Sequence, residues 1–399
     1  MPVNPLSEAM TGTTTARLFL NRRAREQSTP AIAQSSRAPL AFHQRLPGYA
    51  PTALRHAPEI AQMLGVGEVL LKDESSRLGL PAFKILGASW AIYCALEARA
   101  GGAFLTWRTI DELAQQLAPL RPMTLAAATD GNHGRAVAHM AALLGFESRI
   151  YVPAGTAQAR IDGIASEGAR VVVVNGTYDD AVARAAEDAS ERCLVISDTS
   201  WPGYEEVPRR VMDGYSTILW EVDDELVRLG EKDPDLVAVQ CGVGALAAAV
   251  VNHYRQPDRR PQPMLLSVEP LHAACMLASM EAGEIVSVPG PHDSIMAGLN
   301  CGRPSIIAWP IVSAGIDAFI AISDERAREA MRTLARAGIV AGETGAAGLA
   351  GMIELLAGPT NAEHRARLGV SESTRVLLFI TEGATDPQAY DEIIGPAGR

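Results

Sequence analysis

Residues 124–153, TLAAATDGNHGRAVAHMAALLGFESRIYVP, read as strand, polar loop, helix and second strand. TLAAAT (124–129) is apolar at nearly every position, which suits a strand covered on both faces. GRAVAHMAALLG then carries apolar residues at helical spacing, and RIYVP returns to the extended pattern. The alternation continues downstream with ARIDGIASEGA as helix, RVVVV as strand, YDDAVARAAEDASER as helix and LVISD as strand. Upstream, VLLK (69–72) reads as a strand and LGASWAIYCALEARA (86–100) as a helix stopped by Gly101 and Gly102. A further sheet is expected from DLVAVQ (235–240), MLLSV (264–268), DAFIAI (317–322) and VLLFI (376–380), with SDTSWPGYEEVP (197–208) as the crossover. The pattern predicts an α/β protein of two domains, with twisted, mostly parallel sheets flanked by helices. The expected division is 1–86 with 215–399 as a discontinuous larger domain and 87–214 as a smaller one. Residues 1 to about 40 lack a sustained period and read as an arm over the body of the protein.

At 399 residues, with 48% hydrophobic and 20% charged residues, the chain has the composition of a folded globular enzyme. Its formal net charge of -11 disfavours nucleic acid as a partner, since phosphate backbones need concentrated Lys and Arg. No run of eighteen apolar residues occurs and the first residues lack the order of a secretory signal, so no membrane association and a cytoplasmic location are expected. Cys94, Cys193, Cys241, Cys275 and Cys301 are scattered without CxxC spacing and are expected to be reduced.

Lys and Arg together number 35, yet lysine occurs only at Lys72, Lys84 and Lys232. A lysine can lose its proton and attack a carbonyl to form an imine, which Arg cannot do. Lys84 lies beside Phe83 and directly before a helical pattern, where the helix dipole favours an uncharged amine. Lys72 is followed by Asp73 and Glu74, which suggests a structural ion pair, and Lys232 lies in the solvated turn GEKDPD.

QCGVGALAAAV (240–250) joins strand to helix through Gly242 and Gly244, a turn whose N–H groups suit a phosphate, although such turns also serve tight packing alone. ATDGNHGRAVA (128–138) places Asp130 and Asn132 at the carboxyl end of a parallel strand, where ligands bind in open α/β sheets. There Asp130 suits a proton carrier and Asn132 a donor to a ring oxygen, while His133 reads better as a capping or packing residue. Thr381 and Glu382 follow another buried strand, and Glu343 precedes a small-residue helix; either carboxylate also reads as a helix-start charge. No GxSxG, HExxH or clustered Cys/His pattern is present, so neither a serine hydrolase nor a metal site is expected.

The segments LPGYAPTAL, KDESSRLGLPAFKILGASWA, AATDGNHGRAVA, SDTSWPGYEEVP, QCGVGALA, IMAGLNCG, GETGAAGL and ITEGATDP together resemble the fold-type II pyridoxal-phosphate (PLP) enzymes. That group includes serine and threonine dehydratases and the tryptophan synthase β subunit. KDESSR and SDTSWPGYEE bring the likeness to the diaminopropionate ammonia-lyase branch. The resemblance implies that Lys84 holds PLP as a Schiff base and Phe83 lies by its ring. It also implies that Asn132 meets the ring hydroxyl, Thr381 meets the pyridine nitrogen, and Gly242, Val243, Gly244, Ala245 and Leu246 hold the phosphate. Lys84 would take the α-proton of an L-amino acid, with Asp130 acting from the opposite face and Asp198 recognising a second amine. The activity so implied is β-elimination from 2,3-diaminopropionate, and a homodimer is the common assembly. Pro81 and Ala384 stand where the branch carries Asn and Asp, which leaves room for a dehydratase or β-replacement enzyme acting on another β-substituted amino acid. A nucleotide-binding α/β protein without catalysis is the alternative from outside the enzymes.

Overall fold

The strands form two sheets in the computed structural model, which describes residues 16–22, 24, 33–102, 107–259, 261–357 and 360–395. Much of the arm expected over residues 1–40 lies outside the described residues. In chain order the strands are β1 (Arg17–Leu20), β2 (Leu54–His56), β3 (Glu68–Asp73), β4 (Thr124–Ala128), β5 (Glu147–Pro153), β6 (Arg170–Val174), β7 (Cys193–Val195), β8 (Leu236–Gln240), β9 (Met264–Pro270), β10 (Ala318–Ile322) and β11 (Arg375–Ile380). One sheet runs β1-β10-β9-β8-β11-β3-β2, parallel throughout except for the antiparallel edges β1 and β2. The other runs β6-β5-β4-β7 and is wholly parallel.

The inner strands fall where continuous apolar runs predict them, because β8 buries every residue and β4 and β11 all but the first. The edges differ from expectation. RLFL and LRH are too short to carry a period, and both lie antiparallel on strands that the sequence shows more clearly. LVISD also shortens to Cys193–Val195, after which Ile196 makes one last bond to Ala126 and the chain turns away. All parallel strands of a sheet end on the same side, so the loops after β3, β4, β7, β8 and β11 gather at the carboxyl edges.

The helix Lys84–Arg99 serves two cores. Ile85, Ile92 and Leu96 pack with Leu125, Val137 and Ile150 around the smaller sheet, while Phe83 and Leu86 pack with Val211, Tyr215 and Val239 around the larger. It crosses the helix Glu206–Leu229 at glycines on both partners. A Cβ on Gly214 would stand 2.4 Å from the Leu86 carbonyl oxygen, and one on Gly87 would stand 2.5 Å from the Tyr215 ring.

Beneath this crossing lies a buried charge cluster. Lys72 Nζ donates to Glu221 Oε2 at 2.6 Å, and Arg77 reaches Glu221 Oε1 at 2.7 Å and Glu74 Oε1 at 2.6 Å. Lys72 is thus in an ion pair as expected, but its partner is Glu221 from the long helix. Neighbouring Asp73 turns outward to Arg55, because alternate strand residues face opposite sides. Glu221 has its proton affinity lowered: its two cationic partners outweigh the burial that acts the other way. Removing it would leave two cations buried without their carboxylate. Glu221→Ala is therefore expected to destabilise the protein by about 3–5 kcal/mol, read from the shift in urea unfolding free energy.

Candidate active site

Three local devices set the loops that meet between the sheets. The segment before Lys84 is zipped to the end of β11: Phe83 N–H donates to Thr381 O at 3.2 Å, Gly383 N–H donates to Pro81 O at 2.9 Å, and Ala82 bridges Glu382. Pro81 contributes only its carbonyl here, so its missing N–H leaves this pairing intact. After β4, Gly131 N–H donates to Thr129 Oγ1 at 2.8 Å, closing the turn that delivers Asp130 and opens the helix Asn132–Leu144. After β8, Gly244 adopts φ +103°, and a Cβ there would stand 2.6 Å from Met276 Cε, so glycine alone suits the turn into the helix Ala245–Tyr254.

Every residue to which the resemblance gives a role lines one cavity: Phe83, Lys84, Asp130, Asn132, Asp198, the run Gly242–Leu246 and Thr381. Lys84 is the first residue of its helix, and its Nζ lies 5.4 Å from the Phe83 ring centroid. One expectation fails. Instead of an uncharged amine, Lys84 Nζ is an ammonium donating to Asp198 Oδ2 at 2.7 Å, and that pairing raises its proton affinity against the opposing effect of burial. The carboxylate wins over the helix dipole because contact charge exceeds the few tenths of charge at a helix end. Asp198 accepts a second bond from Tyr178 Oη at 2.9 Å and is held well below the usual carboxylate range, mainly by Lys84.

The backbone N–H groups of residues 242–246 border the cavity and donate to no acceptor among the described residues. Thr381 presents a buried neutral hydroxyl within reach of Gln240 Nε2 at 3.2 Å. Asn132 Nδ2 donates to Glu382 Oε2, and Glu382 Oε1 accepts from Thr344 N–H at 3.1 Å. Glu382 therefore braces the cavity wall and is no helix-start charge. His133 is buried as a packing residue, with Nε2 on the Ile196 carbonyl at 2.8 Å, yet it also borders the cavity.

A sequence profile described as pyridoxal-phosphate-dependent enzyme matches residues 45–381. The chain belongs to that family. It is similar to the diaminopropionate ammonia-lyase of Escherichia coli K12, 37% identical over 92% of this chain and 93% of that protein. It is also similar to the diaminopropionate ammonia-lyase of Salmonella typhimurium, 36% identical over 89% and 90%. The crystal structure of the E. coli enzyme in complex with D-serine superposes with a TM-score of 0.88 and 33% identity, covering 96% of this chain and 97% of that one.

The cavity of this PLP-dependent enzyme fits the cofactor on its own terms. Five backbone donors at a helix start, without acceptors among the described residues, suit a phosphate, and the lysine lining the same cavity suits an aldehyde. The sequence reading missed Tyr178, Gln240 and Arg160. Tyr178 had a signal, since it opens a helix just beyond the carboxyl end of a parallel strand. Lys84→Ala is expected to abolish the visible absorbance of the holoenzyme and the peptide adduct trapped by borohydride, with Lys72 and Lys232 unmodified, as read by peptide mass spectrometry.

Proposed function

We propose that this enzyme eliminates ammonia from 2,3-diaminopropionate to give pyruvate and ammonia. The observation that carries the reading is the Tyr178–Asp198–Lys84 chain lining the cavity, together with the Asp130 carboxylate, which is free of any hydrogen bond among the described residues. The names of the E. coli and S. typhimurium relatives support the substrate.

PLP, when bound, supplies an electron sink for the charge that develops at the substrate α-carbon. Lys84 would anchor its aldehyde carbon, the amides of Gly242, Val243, Gly244, Ala245 and Leu246 its phosphate, Asn132 its ring hydroxyl and Thr381 its pyridine nitrogen, with Phe83 against the ring. A hydroxyl at Thr381, in place of a carboxylate, suits prompt expulsion of a leaving group.

Asp198 already holds one ammonium, that of Lys84, and the second amine of diaminopropionate is the same chemical partner. Once substrate has displaced it from the cofactor, Lys84 is a neutral amine in the cavity and takes the α-proton of the L-isomer as general base, while Asp198 is left to pair with the substrate's second amine. The β-carbon–nitrogen bond then breaks, its electron pair leaving with nitrogen as ammonia. The released 2-aminoacrylate hydrolyses in water to pyruvate and a second ammonia. Asp130 serves the D-isomer in the same capacity from the other face. The reading extends to a cytoplasmic homodimer, supported by the likeness to fold-type II enzymes. It also extends to 1–86 with 215–399 as the cofactor-binding domain and 87–214 as the smaller one, supported by confinement of the four-stranded sheet to residues 124–195.

Assays of keto acid and ammonia with 2,3-diaminopropionate, serine, threonine and O-acetylserine test the substrate. Two ammonia per pyruvate from diaminopropionate is the expected outcome, and no keto acid from it would exclude the reading. Asp198→Ala is expected to lower kcat/KM for diaminopropionate about a hundredfold, the scale of losing a buried charge partner, with a much smaller effect on serine, which carries no second cation. Burial pushes the Asp130 carboxyl up to about 6, against the lowering by Arg160 and Lys84. A base must be ionised, so kcat/KM for the D-isomer should fall as pH drops through about 6, and Asp130→Asn should remove that turnover.

A further inference from the structure

Beyond Asp130 the cavity continues into an outer chamber that shares Asp130, Tyr178, Ala297 and Asn300 with the inner one. Its wall includes Arg160, on the helix Gln158–Ala165. The Arg160 side chain is only 8% exposed, yet its guanidinium makes no hydrogen bond among the described residues. The nearest carboxylate oxygen, Glu343 Oε2, stands 3.8 Å from Nη2, a loose approach for a group that pairs best through two short parallel bonds. Its stem lies against the turn after β4, with Cδ 3.2 Å from where a Cβ on Gly131 would stand. The turn, more than Glu343, sets where the charge goes.

Four carboxylates act on that charge, Glu382, Asp130, Glu343 and Asp386, and the last three line the same chamber as Arg160. Glu382 is engaged by Asn132 and Thr344, and Asp386 caps the helix Pro387–Ile394 through Ala389 N–H at 3.2 Å. Asp130 accepts no hydrogen bond among the described residues. We propose that Arg160 is a positioning residue for Asp130: pinned against the Asp130–Gly131 turn, it supplies the positive charge that lets an unpaired carboxylate stand ionised where the two chambers meet. The other charges facing Asp130 are Lys84, which assists, and Glu382 and Asp198, which oppose. Since Lys84 and Asp198 largely satisfy each other at 2.7 Å, Arg160 is the cation left to balance Asp130.

The inference stands on the geometry, and only its catalytic arm rests on the proposed elimination. Difference infrared spectroscopy of the apoprotein, with Asp130→Asn as reference, reads the carboxyl titration directly. Arg160→Gln is expected to move the Asp130 midpoint up by about one pH unit, while Arg160→Lys, which keeps the charge, stays close to the parent protein. In the holoenzyme the acid limb of the D-isomer kcat/KM should move by the same amount. An unchanged midpoint in Arg160→Gln would overturn the proposal, as would a shift in Arg160→Lys as large as in Arg160→Gln, which marks a packing role. Should the parent enzyme turn over no D-isomer at all, the proposed reaction fails for that isomer, and the infrared midpoints still decide the role of Arg160.

Discussion

The close crossing of the helices Lys84–Arg99 and Glu206–Leu229 is the constraint on which the rest depends. Glycines at 87 and 214 let the two backbones approach to a distance that any side chain would block. One helix begins at Lys84, and the other begins within the crossover segment that carries Asp198. Their approach therefore brings together two groups 114 positions apart in the chain. The same long helix supplies Glu221 to the buried cluster behind β3, so the position of Lys84 is fixed from its own helix, from β11 and from below.

Two kinds of buried charge occur in this molecule, and hydrogen bonding separates them. In the cluster of Lys72, Glu74, Arg77 and Glu221, each charged group is met by short, directed bonds, as expected where breaking a pair is costly. Around the cavity the charges are less fully matched: Asp130 has no hydrogen-bonding partner among the described residues and Arg160 has only a loose one. Incomplete matching is what a site needs, because a fully bonded group has nothing left to offer a ligand.

Much of the fold was legible because its inner strands are buried on both faces and read as unbroken apolar runs. β8 and β11 were recognisable from LVAVQ and VLLFI alone, whereas β1 and β2 take their conformation from the strands they lie against. The cavity residues were legible for a topological reason: polar loops at the carboxyl ends of parallel strands converge whatever their separation in the chain. The charge state of Lys84 was not legible. Helix position is local and visible in sequence, but the partner that overrides it, Asp198, arrives through tertiary packing. Arg160 was hidden likewise, since within ARIDGIASEGA it resembles any solvated helix residue.

The scarcity of lysine has a practical consequence. Of the three side-chain amines, one is locked in the charge cluster, one lines the cavity, and only that of Lys232 is exposed. An amine-reactive dye or resin thus meets a single accessible lysine, in the turn after the helix Glu206–Leu229. Labelling of lysine side chains is thereby confined to one position on the surface, without an engineered handle.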